Sequence, residues 1–66
     1  MAIDLKKLKK IMEKNKIIQF DIITHTSLNP ATVNRIMNGK QKDILTSGAI
    51  EISKYIGCKL EDILMP

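Results

Sequence analysis

Residues 19–39 read QFDIITHTSLNPATVNRIMNG. Two short amphipathic segments flank a polar break at Ser27-Leu28-Asn29. The first, Gln19 to Thr26, carries Phe20, Ile22 and Ile23 as its apolar residues. The second, Pro30 to Met37, has signals at both ends. Asn29 is a strong N-cap, because its side-chain oxygen can accept from an orphan backbone N–H. Pro30 suits the first helical position, where no N–H is needed. Asn38-Gly39 stops the helix, since Gly takes the left-handed conformation at C′ without steric cost. Val33 and Ile36, with Met37 beside them, point to a core, and Leu28 plugs the gap between the two helices. Two helices of about eight residues joined by a short polar turn make a helix-turn-helix.

The outward side of the second helix (about 30–37) carries chemistry suited to the DNA major groove. Ala31 is small, and its methyl can meet a thymine methyl. Asn34 can pair with adenine and Arg35 with guanine, each in bidentate fashion, while Thr32 can reach a base or a phosphate. An ion pair of Arg35 with Asp21 or Asp43 is the structural alternative for that residue. Gln19 offers an amide and a helix N-terminus to a phosphate. Asn29, Asn38, Lys40 and Lys42 complete the expected backbone contacts on the flanks.

Working outward, apolar residues keep helical spacing and no useful β alternation occurs, so the spacing predicts five helices. Helix 1 spans Asp4 to Asn15, capped by Asp4, with Leu5, Leu8, Ile11 and Met12 inward and Lys6, Lys7, Lys9, Lys10 and Glu13 solvated. Helix 4 runs Thr46 to Ile56 and stops at Gly57; Leu45, Ala49, Ile52 and Ile56 form its buried stripe. Helix 5, about Leu60 to Leu64, turns Leu60, Ile63 and Leu64 inward.

Sixty-six residues bound the chain to one domain, 1–66, with a modest core. Cys58 is the only cysteine and His25 the only histidine, so neither an internal disulfide nor a structural zinc site is expected. No cofactor, metal or small-molecule ligand is indicated, and an enzyme is not expected: the seven acids show no converging pair and there is no Gly-rich phosphate loop. No apolar run approaches the roughly 20 residues of a membrane span. The net charge of +4 is unevenly spread. Residues 1–42 hold nine Lys/Arg against three acids, for +6; residues 43–66 hold two against four, for −2. The basic excess therefore lies with the helix-turn-helix, which suits a polyanion partner.

These residues resemble the Cro/CI-type, phage-repressor-like helix-turn-helix domains. The resemblance covers nearly the whole chain, through the final GCKLEDIL at 57–64, and rests on Gln19, Ile22, Ile23, Ser27-Leu28, Asn29, Val33, Arg35, Ile36 and Asn38-Gly39. It implies an all-α, compact five-helix, lambda-repressor-like fold. It also implies that Gln19 and Asn38 contact the DNA backbone and that positions 30, 31, 32, 34 and 35 face bases. Four positions depart from the family pattern. Ile18 stands where Ser or Thr usually caps helix 2. Ile23 replaces a common Ala and is expected to set helices 2 and 3 slightly apart. Ser27 replaces a common Gly and is expected to be strained at positive φ. Pro30 cannot donate to a base.

The resemblance implies a sequence-specific regulator of transcription, a repressor, that binds a near-palindromic double-stranded operator as a homodimer. Its expected setting is the cytoplasm of a bacterial or phage-infected cell, at the nucleoid when bound. The expected dimer surface is helix 5 with part of helix 4, involving Ile50, Tyr55, Ile63 and Met65. The competing reading is an antitoxin-like module that binds a protein partner and holds DNA weakly alone.

Overall fold

A computed structural model describes all residues, 1–66. Four α-helices follow in order: α1 (Leu5–Lys14), α2 (Gln19–His25), α3 (Pro30–Met37) and α4 (Thr46–Ile56). The expected fifth helix is a single 3-10 turn, Leu60–Asp62. Its brevity follows from its position, because Ile63 and Met65 turn away to pair their backbones with Asp4 and Ala2.

The helix ends form as the local chemistry dictates. Asp4 accepts the Lys7 N–H at 3.2 Å, and Asn29 accepts the Ala31 N–H at 2.8 Å. Pro30 takes the first position of α3, and Gly39 leaves it at φ 73. There the Gly39 N–H reaches the Ile36 carbonyl at 3.1 Å and the Lys40 N–H reaches Arg35 at 2.8 Å. The same pair of closing bonds ends α1, from Lys16 to Glu13 and from Ile17 to Met12. Here the left-handed position is filled by Lys16, at φ 56. It is the one non-glycine residue with positive φ, whereas Ser27 carries no such strain.

Ten apolar side chains form one contiguous core: Ile3, Leu8, Met12, Ile22, Val33, Ile36, Ile44, Ala49, Ile52 and Ile63. Ile3 is 2 % exposed and belongs to no helix. Residues 1–4 instead run extended between two other segments. Ile3 donates to the Lys42 carbonyl at 2.8 Å, and Ile44 donates to Met1 at 3.0 Å. On the other side Asp4 donates to Ile63 at 2.9 Å and Met65 to Ala2 at 3.0 Å. Two isolated antiparallel bridges, Ala2 with Asp43 and Ile3 with Leu64, are the only β pairing.

Several side chains lie elsewhere than the periodicity predicts. Ile44, not Leu45, enters the core beside α4, and Leu45 is 79 % exposed. Leu45 precedes the helix in an extended conformation, so the helical stripe does not reach it. In α2 only Ile22 is buried; Ile23 packs half-buried against the core and Phe20 is 64 % exposed. Leu28 packs toward α4 as well as filling the turn: a Cβ on Gly48 would lie 2.7 Å from its Cδ2. That close approach explains a glycine inside the first turn of α4. The expected dimer surface is also reduced. Ile63 is fully buried, and Tyr55 is half-buried with its ring stacked on His25 at 4.6 Å. Ile50 and Met65 remain exposed.

Two stability predictions follow from these backbone and core positions. Ile3→Ala opens a cavity in the core and lowers unfolding free energy by about 2–5 kcal/mol. Urea denaturation measures this, and a loss below roughly 1 kcal/mol would mean that the extended segment is not docked. Lys16→Gly relieves a left-handed side chain and raises stability by up to about 1 kcal/mol, net of the added freedom of the unfolded chain.

Candidate nucleic-acid interface

The helix-turn-helix is held from behind by the core. Val33 and Ile36 are the buried residues of α3, and Asn34 and Arg35 between them, with Ala31 before them, face solvent. Thr32 is half-buried at the edge of the same face. Asn38 donates its amide to the Asn34 carbonyl at 2.9 Å and to the Asn34 Oδ1 at 3.1 Å. The exposed amide of Asn34 is therefore oriented by its neighbour one turn on, with its own Nδ2 donor hydrogens outside this contact. Asn29 is exposed but commits its Oδ1 to capping α3.

Arg35 makes no ion pair with Asp21 or Asp43. Its Nε donates to Gln41 Oε1 at 2.9 Å and its Nη2 to Thr32 Oγ1 at 3.2 Å. Within the chain the only ion pair joins the Met1 nitrogen to Asp43, so every Lys and Arg side chain is free of carboxylate partners. Lys40 and Lys42 are exposed just beyond α3. An unpaired cation next to an outward helix face attracts an anion over about a Debye length.

Gln19 opens α2 and is half-buried, flanked by the exposed Ile18 and Phe20. Ile18 gives no side-chain cap. The Asp21 carboxylate instead makes the reciprocal bond of a capping box, accepting the Ile18 N–H at 2.9 Å. This negative charge occupies the end of α2 at which a phosphate was expected, leaving the Gln19 side chain as the donor there. The Asp21 contact was legible as an acid three residues after the N-cap position, the spacing of a capping box.

The turn between α2 and α3 is pinned to α4. Glu51 accepts from the Ser27 N–H at 3.0 Å with one oxygen and from the Ser27 hydroxyl with the other. These two bonds hold the Glu51 carboxyl below its ordinary pKa. An open cleft of ≈ 590 Å³ separates the turn from the α3–α4 loop, lined by Asn29, Thr32, Gln41, Leu45 and Glu51 among others. On the other side of α2, His25 Nδ1 lies 2.9 Å from the Asp21 carbonyl and 3.0 Å from the Thr24 hydroxyl. No three His, Cys, Asp or Glu side chains converge to hold a metal ion. No helix is long and apolar enough to cross a membrane.

Two helices crossing a short turn, with α3 exposing a polar face and free cations beyond it, match one family. Residues 7–65 fit the Cro/C1-type HTH DNA-binding domain. The chain belongs to that family. None of the curated proteins or solved structures matches it. The match reaches past the helix-turn-helix to Met65, so most of α1, all of α4 and the terminal 3-10 turn are part of the family unit. Membership establishes a DNA-binding domain of the kind found in regulators.

The Glu51 contact gives the site a pH dependence. Its folded-state pKa is lowered, so its contribution is complete above the ordinary carboxylate value and is lost as pH falls through the lowered one. Wild type is therefore expected to exceed Glu51→Gln in melting temperature at pH 7, with the gap closing on acidification toward pH 3, roughly the lower end of the carboxylate range. A gap that stays constant with pH would show that the charge on Glu51 contributes nothing.

Proposed function

We propose that the chain is a sequence-specific transcriptional repressor that reads the DNA major groove with α3. The observation that carries this reading is the exposed, self-organised polar face of α3. Ala31, Asn34 and Arg35 are outward, and Lys40 and Lys42 follow without carboxylate partners. In this reading Ala31, Thr32, Asn34 and Arg35 form the base-facing set. Gln19, Asn29, Asn38, Lys40 and Lys42 hold phosphates on either side. Phosphate contacts fix the register of the helix, and base contacts supply the discrimination.

A homodimer on a near-palindromic operator goes with this role. Two α3 helices would then sit about 34 Å apart, one turn of the duplex. The exposed Ile50 and Met65 support a contact through α4 and the C-terminal segment. The matching setting is the cytoplasm of a bacterial or phage-infected cell. Six large hydrophobics are at least 36 % exposed, among them Ile18, Phe20 and Leu45. This favours, as a second reading, an antitoxin-like module with a protein partner.

Selection of bound sites from a random duplex pool separates the two. The first reading expects a near-palindromic site that the Asn34→Ala, Arg35→Ala double variant no longer prefers. Each lost contact should cost ~1–3 kcal/mol of discrimination, with residual salt-sensitive binding retained. Enrichment of no site, with wild type and variant showing the same salt slope, would leave only electrostatic attachment and favour the partner-binding module.

A further inference from the structure

Arg35 does not lie free on the surface. Its Nε donates to Gln41 Oε1 at 2.9 Å, and its Nη2 donates to Thr32 Oγ1 at 3.2 Å. Gln41 is in turn fixed, because its Nε2 donates to the Asp43 carbonyl at 2.8 Å. The loop that carries Gln41 is tied at both ends. Lys40 donates to the Arg35 carbonyl at 2.8 Å, and the Lys42 carbonyl accepts from Ile3 at 2.8 Å. Gln41 is half-buried, whereas Arg35 is exposed.

A guanidinium has five N–H donors in a rigid plane. Nε and Nη2 form its side edge, and Gln41 and Thr32 each take one donor there. Both hydrogens of Nη1 and one of Nη2 remain, and the end of the fork is made by one N–H from each of these two nitrogens. That end can present two parallel donors to the O6 and N7 of guanine.

We infer that Gln41, outside the recognition helix, is a positioning residue that sets the base preference of Arg35. Thr32 works with it as a second holder of the guanidinium. The inference rests on the proposal that α3 reads base edges. Its physical basis is preorganisation. A long side chain that is already ordered loses less freedom when it docks, and it presents one edge instead of several. The size of that effect, for one rotamer-rich side chain, is about two- to tenfold in affinity.

The test uses the whole chain and the site selected from a random duplex pool. Relative affinities for all four base pairs at each position are measured for wild type, Arg35→Ala, Gln41→Ala, Gln41→Met and Gln41→Glu. Arg35→Ala identifies the base pair that it reads. Gln41→Ala and Gln41→Met are expected to lose about two- to tenfold of the preference at that pair. They should keep the preferences at other positions and the salt slope of wild type. Gln41→Met preserves bulk without hydrogen bonding, so a packing role would leave it active. Gln41→Glu retains an acceptor for Nε and should recover most of the preference. Melting followed by circular dichroism verifies that each variant is folded.

An unchanged preference in Gln41→Ala overturns the inference while leaving the DNA-reading proposal in place. So does an even loss across all sequences with a shallower salt slope, which would make Gln41 a phosphate ligand. If Arg35→Ala itself alters no base preference, α3 reading through Arg35 fails and the inference fails with it.

Discussion

The presentation of α3 depends on the packing of two side chains, Val33 and Ile36. An eight-residue helix is too short to be stable alone in water. Its cap and its stop residue shape its ends, but its persistence and its angle come from burying Val33 and Ile36 in the cluster that holds Ile22 of α2 and Ala49 and Ile52 of α4. No disulfide supplements that cluster, since Cys58 is the only cysteine. Six of the ten core residues are isoleucine. A β-branched side chain is stiff at χ1, so a core of this composition favours one packing over many. The reach of the polar face is set by that stiffness.

On the surface the polar groups organise one another. Asn38 orients Asn34, while Thr32 and Gln41 orient Arg35. The turn before α3 is fastened to α4 through Ser27 and Glu51. No buried side-chain nitrogen or oxygen lacks a partner. The polar atoms that remain uncommitted are thus on the outside. Among them are the charges of every lysine except Lys7, whose Nζ donates to the Leu64 carbonyl, and most of these belong to residues 1–42. Such a distribution gives a domain with a quiet interior and an excess of positive charge on the outside, in keeping with a DNA-binding family.

The parts of the fold legible in the sequence are those governed by neighbouring residues. Asp4, Asn29, Pro30, Gly39 and Gly57 mark helix ends, and α3 and α4 have the bounds that these signals predict. The polar face of α3 was equally legible, because period and capping together fix which residues point outward. What escaped depends on distant partners. Nothing around Ile3 announces that it is buried, since its pairing residues are Lys42 and Leu64. The exchange of Leu45 for Ile44 turns on where the extended loop ends and α4 begins. Ser27 was read as a strained turn residue, but its conformation is ordinary and its role is to meet Glu51 across the fold. The link from Arg35 to Gln41 likewise bridges a helix and the loop beyond it, where no periodic pattern applies.

The extended segment at residues 1–4 also orders events in time. It is flanked by residues 42–44 on one side and 63–65 on the other. Residues 1–4 therefore wait for residues 63–65 before Ile3 can be enclosed. Helices α1 to α3 can form local turns during synthesis, but the layer beneath them closes only after Met65 has emerged. At ordinary elongation rates of about 5–20 residues per second, the nascent chain spends several seconds with that apolar side open. Enclosing this core therefore needs pairings across most of the chain, which cost more loop closure than the local turns of the helices do.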